Sequence, residues 1–431
     1  MKYLVRLALF GLISLSCSRD EQKENGRVEI VFWHSFVAAT IPALDELIGM
    51  FEHEHPAIQI KAEYIPTGDA LVQKLIAAVQ SNTAPDISWI HADFLDKLVE
   101  ADAIYPMADF MNGPDGLGVE DVRDIVPASL EAGRWRGQQF ALPMEATSLA
   151  LFYNRDLFRK AGLSPERPPR TWEELHAFAR QLTVDNDGDG KIDQYGFFVP
   201  VFPSSGPLNI WMNLQWAPFL WQAGGDELSA DGSRVLFDGP AGIAALVFWK
   251  KLYSDLDFRS FGLSHDMGFA SGKLGMILDG PWDLPKFREL KNIDWMVAPL
   301  PSGPGGKATY IAGEQLAIFR QSRHPREAWT FVRWVLEPRV QASFSRSSGY
   351  LPVRKSVLRL EPYREFLRRD SVMRVFVDQM NVGRARRAPD RYRVEINRFL
   401  AEAIERATLG NEDPSKVLGE AAAKANAVLA R

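Results

Sequence analysis

The feature that most constrains the fold is a repeated alternation of strand-like and helix-like segments. Residues 28–33 form an apolar run typical of a strand, and a helical pattern follows with Thr40 as its cap and Pro42 in its first turn. The alternation continues with strand patterns at 58–64 and 86–90 and helix patterns at 71–79 and 94–100. Because such an order joins parallel strands through crossover helices, it predicts a largely parallel sheet covered on both faces.

A second alternating region begins near residue 149. The pattern Thr171-x-x-Glu174 is a capping box that predicts a helix ending near Leu182. The other predicted segments are a strand at 149–153, a helix at 238–253, a strand at 274–279 and helices through the C-terminal third. Since 431 residues exceed the usual size of one hydrophobic core, the chain is predicted to form two domains.

The N-terminus has the pattern of a bacterial export signal. Lys2 and Arg6 precede an apolar run at 7–15, which is shorter than the about 20 residues that span a bilayer. Cys17, the sole cysteine of the chain, follows this run in a sequence that resembles a lipobox, although Ser14 stands where that pattern prefers Leu. We therefore predict a signal peptide at 1–16, acylation of Cys17 and a lipidated polar tether at 17–26.

Composition and motifs argue against several classes of function. The net charge of −5 disfavours a nucleic-acid groove, which needs a surplus of Lys and Arg. The chain lacks a Gly-x-Ser-x-Gly nucleophile motif and a glycine-rich phosphate loop. We predict neither an enzyme nor a bound cofactor. Paired carboxylates among Glu145, Asp93 and Glu314 leave a secreted glycoside hydrolase as the alternative from another class.

Polar residues follow several of the predicted strands. Ligands of open α/β sheets bind outside the carboxyl ends of strands, so these positions are candidate ligand contacts. They are His34 and Ser35 after the first strand, Tyr64 and Asp69 after the second, and His91 and Asp93 after the third.

An acidic loop has the spacing of a calcium site without its last ligand. Asp185, Asp187, Asp189 and Asp193 occupy positions 1, 3, 5 and 9 of such a loop, but Gly196 stands at position 12 in place of the usual Glu. A structural turn stabilised by aspartate side chains is therefore favoured, with calcium binding as the alternative.

The tryptophans divide into core and ligand candidates. Trp329 and Trp334 share a helical face with apolar neighbours, which predicts core packing. Trp282 directly follows an apolar strand at a sharp turn, where an aromatic ring can stack on a sugar. Trp282 and Trp216 are retained as candidate ligand residues.

A series of short motifs resembles one family over nearly the whole chain from Arg27. The matching segments are Phe32-Trp-His-Ser35, Asn82-Thr-Ala-Pro-Asp86, residues 152–163, Thr171-Trp-Glu-Glu-Leu175, residues 221–226, Phe269-Ala-Ser-Gly-Lys273, Gly280-Pro-Trp282, residues 311–319, residues 324–329 and Gly349-Tyr-Leu-Pro352. The family is that of extracellular solute-binding proteins of ABC importers, in the group that contains the maltose-, multiple-sugar- and glycerol-3-phosphate-binding proteins.

The resemblance implies an α/β fold of the periplasmic-binding-protein type. It would have two lobes, an interlobe cleft and crossing hinge strands. The first lobe is expected at 27–147 and 312–345, and the second at 148–311 and 346–431. It also implies a monomer in the periplasm or at the cell surface, held to the membrane through Cys17, that delivers a sugar-like ligand to permease subunits.

The resemblance carries over a set of ligand-binding positions. They are the residues after the second and third strands named above, together with Glu145, Trp282, Gly313, Glu314, Tyr350 and Arg386. The glycerol-3-phosphate binders have small serine-rich residues where this chain has 280–282. Since Trp282 suits a pyranose and an anion site would need donors, a sugar or oligosaccharide is favoured. A glycerol-3-phosphate or glycerophosphodiester ligand is the alternative.

Overall fold

The structure is a computed structural model that describes residues 26–66, 69–206, 208–386 and 392–431, without the side chains of residues 69, 70 and 260. The predicted signal peptide at 1–16 and the predicted lipidation site Cys17 lie outside the described residues. Among the described residues, no helix combines the length and the apolar character needed to cross a membrane.

The described residues form thirteen strands. They are β1 (Val28–His34), β2 (Ile58–Tyr64), β3 (Ile87–Ile90), β4 (Arg134–Trp135), β5 (Gln138–Gln139), β6 (Leu142–Pro143), β7 (Thr147–Ser148), β8 (Ala150–Asn154), β9 (Met276–Asp279), β10 (Trp295–Ala298), β11 (Thr309–Ala312), β12 (Gln315–Ile318) and β13 (Gly383–Arg384).

The described residues also form eighteen α-helices. They are α1 (Ile41–Glu54), α2 (Asp69–Gln80), α3 (Leu95–Glu100), α4 (Ala108–Met111), α5 (Val119–Asp124), α6 (Pro127–Glu131), α7 (Arg155–Lys160), α8 (Trp172–Leu182), α9 (Asn209–Gln222), α10 (Pro240–Asp255), α11 (His265–Ala270), α12 (Leu284–Arg288), α13 (Pro325–Val335), α14 (Pro338–Ser348), α15 (Glu361–Arg369), α16 (Ser371–Gln379), α17 (Arg393–Thr408) and α18 (Pro414–Leu429).

The first lobe is built on a five-stranded sheet with the order β2-β1-β3-β12-β6. β1 pairs in parallel with both β2 and β3, as the sequence predicts. β12 returns from a later part of the chain and pairs antiparallel with β3 and β6. Ile30 and Phe32 of β1 are fully buried, since helices cover the sheet. This arrangement brings the carboxyl ends of β1, β2 and β3 to one edge of the sheet.

The second lobe is built on a three-stranded sheet with the order β10-β8-β9. The expectation of a largely parallel sheet is wrong for this lobe, because β8 pairs antiparallel with both neighbours. Between β8 and β9 the chain inserts the helices α7 to α11, and β9 returns antiparallel to β8 rather than by a single crossover helix. The helices α9, α10, α17 and α18 pack together on this lobe.

The lobes are joined by crossing strands. β11 pairs antiparallel with β7, with Ile311 opposite Ser148 and Ala312 opposite Thr147. At Gly313 a Cβ atom would lie 1.9 Å from the carbonyl oxygen of Glu145, so this close approach requires glycine. The predicted two-lobed α/β fold with crossing strands is confirmed.

The lobe boundaries stay a prediction. The segment after residue 345 contacts the first lobe, because Arg354 forms ion pairs with Asp121 at 2.7 Å and with Asp124 at 2.7 Å. Leu351 also pairs with Ala146 next to the crossing strands.

Candidate functional site

The ends of β1 and β2 lie side by side, as their parallel pairing predicts. His34 pairs with Tyr64 in the strand register, and their rings are 6.0 Å apart. Burial lowers the pKa of His34 to about 4, so its imidazole is neutral at pH 7. The Ser35 hydroxyl donates to the carbonyl of Ile65 at 2.7 Å. Of these residues, Tyr64 presents the most surface to a ligand, with 59% of its surface exposed.

Two glutamates meet where the chain crosses between lobes. The backbone N–H of Glu314 donates to Glu145 Oε1 at 3.2 Å, and Glu314 Oε1 lies 3.7 Å from His91 Nδ1. Oε2 of Glu145 and Oε2 of Glu314 are both buried and have no hydrogen-bond partner among the described residues. Burial and then the charge of Glu314 raise the pKa of Glu145 well above its usual range. The raised pKa favours the protonated form of Glu145, whose carboxyl group can donate as well as accept a hydrogen bond.

Tyr350 lies between carboxylates of both lobes. Its ring packs against Phe36 at a centroid distance of 5.7 Å, and its surface is 4% exposed. Burial raises the pKa of the Tyr350 hydroxyl well above its usual range, and four nearby carboxylates add to this effect, those of Glu314, Glu145, Asp283 and Asp279. The hydroxyl therefore stays protonated and can donate a hydrogen bond in an acidic surrounding.

Trp282 forms an aromatic wall on the second lobe. It lies in the 3₁₀-helix Pro281–Asp283 directly after β9 and is half-buried. A Cβ atom at Gly280 would lie 1.9 Å from the Trp282 ring, so glycine at this position allows the indole to lie against the backbone. Trp211 of α9 meets Trp282 edge-on, with centroids 5.5 Å apart. A planar apolar surface thus stands beside the carboxylates around Tyr350.

A cavity between the lobes has a volume of about 950 Å³, and Glu145, Trp282, Glu314 and Tyr350 are not among the residues that line it. Its lining includes Asp93 of the first lobe, Tyr310 of β11, and Arg386 and Arg393 of the second lobe. Contacts cross the cleft at this point: Arg393 Nη1 donates to the carbonyl of Ala92 at 2.6 Å, and Asn397 Nδ2 donates to Asp93 Oδ1 at 3.2 Å. The cavity is large enough for a small solute.

Arg386 is held by a buried partner. Its Nε and Nη2 donate to Oε1 and Oε2 of Glu227 at 2.9 and 2.8 Å, and Nη2 also donates to Asn397 Oδ1 at 2.8 Å. Nη1 is buried and has no hydrogen-bond partner among the described residues. Glu227 therefore neutralises most of the positive charge that Arg386 could offer to an anionic ligand.

Two predicted ligand residues have no shown role in the cleft. Trp216 of α9 is fully buried, so it presents no stacking surface, and we assign it to the core. Its helix carries Pro218 in its interior, and α9 was not predicted because apolar residues cover nearly its whole circumference. Asp69 is the first residue of α2, and its side chain lies outside the described part of the structure.

The acidic loop is organised by its own hydrogen bonds. Asp185 accepts from the backbone N–H groups of Gly188 and Gly190 at 2.7 and 2.9 Å, and Asp193 Oδ2 accepts from Asn186 N at 2.8 Å. Carboxylate oxygens of Asp185, Asp187 and Asp193 also lie within 4.8 Å of one another, whereas Asp189 bonds to Lys191. The turn geometry agrees with the favoured interpretation, and calcium binding stays an open alternative.

Several residues near the site were not singled out from the sequence. They are Trp211, Glu227, His265, Asp279, Tyr310 and Asn397. They come from helices and strands far apart in the chain, and only the position of Asp279 at the end of an apolar strand gave a sequence signal. The site combines carboxyl groups, a protonated tyrosine hydroxyl and the flat face of an indole ring. It has no nucleophile with an adjacent base among the described residues of the cleft.

Comparisons with known proteins identify the family and the fold. The family model of the bacterial extracellular solute-binding proteins matches residues 35–342. A Brucella abortus protein named as a binding protein is 27% identical over 431 residues, covering 98% of this chain and 97% of the relative. The sn-glycerol-3-phosphate-binding periplasmic protein UgpB of Escherichia coli K12 is 23% identical over 421 residues, covering 93% of this chain and 92% of that protein.

A solved structure shows the same overall arrangement. The crystal structure of the cyclic alpha-maltosyl-1,6-maltose binding protein from Arthrobacter globiformis has a TM-score of 0.78 and 27% sequence identity. The match covers 94% of this chain and 99% of that chain.

Proposed function

The chain belongs to the bacterial extracellular solute-binding proteins, and on that premise we propose that it captures a sugar or oligosaccharide between its lobes and delivers it to the permease subunits of an ABC importer. The observation that carries the choice of ligand is the half-buried indole of Trp282 directly after β9, together with the carboxyl groups of Glu145 and Glu314 at the crossing strands. An indole stacks on the C–H face of a pyranose, and carboxylates accept from its hydroxyl groups.

A glycerol-3-phosphate ligand is the second candidate. One observation favours it: Arg386 Nη1 lies at the interlobe cavity, is buried, has no hydrogen-bond partner within the described part of the chain, and could donate to a phosphate. Against it, Glu227 already pairs with Arg386 and offsets its positive charge. The balance of charge therefore favours a neutral polyol.

Binding without turnover fits the carboxylate geometry better than glycoside hydrolysis. Glu145 is buried at the crossing strands, where its Oε1 accepts from the backbone N–H of Glu314 at 3.2 Å. The two carboxyl groups of retaining glycosidases lie about 5–5.5 Å apart, and those of inverting enzymes about 6.5–9.5 Å apart. A carboxyl group held in this way by the neighbouring backbone is poorly placed to act on a glycosidic bond, and the family is one of binding proteins, so the chain acts as a binding protein and not as an enzyme.

The protein acts as a lipid-anchored monomer at the outer side of the membrane. The sequence order of charged start, apolar run and Cys17 supports this proposal. Mass spectrometry of the N-terminus should find an acylated Cys17, and a mature chain with a free Cys17 thiol would refute the anchor.

Calorimetric titration tests the ligand class. The purified protein should give saturable binding heat with a member of a panel of di- and trisaccharides that includes maltotriose, and none with sn-glycerol 3-phosphate. The expected preference follows from the pairing of Arg386 with Glu227, which leaves little positive charge for a phosphate. Saturable binding of sn-glycerol 3-phosphate together with no response to any sugar would reverse the assignment.

A further inference from the structure

A cluster of one histidine and two aspartates lies on the second lobe beside Trp282. His265 begins α11, Asp279 ends β9, and Asp283 ends the 3₁₀-helix that carries Trp282. His265 Nε2 lies 3.4 Å from Asp279 Oδ2 and 4.0 Å from Asp283 Oδ2. All three ligand atoms lie within 4.8 Å of one another.

Two of these atoms are buried without a hydrogen-bond partner. Asp279 is fully buried, and its Oδ2 makes no hydrogen bond with any described residue. The same holds for His265 Nε2. These two atoms face each other at 3.4 Å, so each has the other as an ion-pair partner at a distance longer than an ordinary hydrogen bond. A cation bound between them would take the place of the proton on His265.

We propose that His265, Asp279 and Asp283 form a binding site for a divalent transition-metal ion of the Zn²⁺ class. Imidazole nitrogen and carboxylate oxygen are ligands that such ions prefer. Two carboxylates also balance the two positive charges of the ion, so the buried site becomes neutral overall. This site goes beyond the proposed function, and it lies next to Trp282, on which the sugar is proposed to stack.

The geometry is close to that of a metal site. With Zn–N and Zn–O bonds of about 2.0–2.2 Å, tetrahedral ligands lie about 3.4 Å apart. The separation of His265 from Asp279 already has this value, and a small rotation of the Asp283 side chain would bring the third ligand in.

Neighbouring groups orient the proposed metal-binding side chains, and the site stays accessible to an ion from solvent. The backbone N–H of Gly280 donates to Asp279 Oδ1 at 2.8 Å, which turns Oδ2 toward His265. The side chains of His265 and Asp283 are 19% and 13% exposed, so an ion can enter and a fourth ligand can come from water. Trp211 lies 5.8 Å from the His265 ring and can report on binding.

Titration of the purified chain, without a polyhistidine tag and after removal of metal with EDTA, tests the proposal. Zn²⁺ is expected to bind with one equivalent per chain and to change tryptophan fluorescence. Co²⁺ should give visible absorption bands at the same stoichiometry. The His265→Ala and Asp283→Asn variants should each lower Zn²⁺ affinity at least about tenfold, because each removes one ligand. His265→Cys, which supplies a thiolate, should retain binding.

Asp187→Ala is the matched control, since it alters the other acidic cluster at the exposed loop and should leave the Zn²⁺ affinity unchanged. Thermal melts of each variant show that it is folded, and Asp283→Asn keeps the shape of a partly exposed side chain. The proposal is overturned if the unmodified protein binds neither ion. It is equally overturned if stoichiometric binding survives in both His265→Ala and Asp283→Asn, or is lost in Asp187→Ala.

Discussion

The Trp282→Ala variant is expected to bind its sugar about ten- to a hundredfold more weakly than the unmodified protein while retaining its fold. Stacking a pyranose on the indole removes apolar surface from water and contributes about 1–3 kcal/mol. Trp282 is half-buried directly after β9, and its ring packs against the backbone of Gly280. Because Trp282 lies outside the strand, its truncation should leave β9 in place. Calorimetric titration of the variant measures the loss directly.

Trp329→Ala is the matched control for this experiment. Trp329 is 4% exposed, stacks on Phe110 with centroids 5.6 Å apart, and donates from Nε1 to the carbonyl of Asp115. Its truncation should lower the free energy of unfolding by about 3–5 kcal/mol and leave sugar affinity unchanged. If Trp282→Ala binds normally and unfolds early, Trp282 is a core residue and the cleft has been placed wrongly.

The Glu227→Ala variant should lose about 3–5 kcal/mol of its free energy of unfolding. The substitution leaves the guanidinium of Arg386 buried without its bidentate partner, and an uncompensated buried charge is costly. Both side chains are nearly inaccessible, with 7% of Glu227 and 9% of Arg386 exposed. Denaturant unfolding followed by circular dichroism measures the change.

A double variant separates the ion pair from the packing. Replacing Glu227 and Arg386 together by methionine removes both charges while filling the space, and its stability should lie near that of the unmodified protein. A single Glu227→Ala variant with unchanged stability would show that solvent reaches Arg386. The guanidinium would then be free to bind an anionic ligand, and the case for a neutral ligand would weaken.

Local patterns predicted five of the thirteen described strands and several of the long helices. The predicted strand at 58–64 has the observed bounds of β2, and the predicted helix at 171–182 differs from α8 by one residue. Thr171 Oγ1 accepts from Glu174 N as a cap should, although the Glu174 carboxylate accepts from Arg170 N rather than closing the box on Thr171. Periodicity and capping are properties of neighbouring residues, so they can be read from the chain.

The sequence predictions that were wrong or missing concern contacts between residues far apart in the chain. The antiparallel pairing of β8 is set by which segments return to it, and no local pattern encodes this. Trp282, by contrast, was identified from the sequence because it directly follows a strand. The pairing of Arg386 with Glu227 joins residues 159 positions apart and could not be read from either sequence segment.

Small-angle X-ray scattering of the purified protein, with and without a saturating sugar from the panel, tests the central claim most directly. A ligand held between the lobes favours the closed arrangement by its differential affinity for that state. The lobes are expected to move about the crossing strands near Thr147 and Ala312, and the contacts of Arg393 and Asn397 with the first lobe should form on closure. The account predicts a smaller radius of gyration with sugar. An unchanged radius at saturation would contradict binding between the lobes.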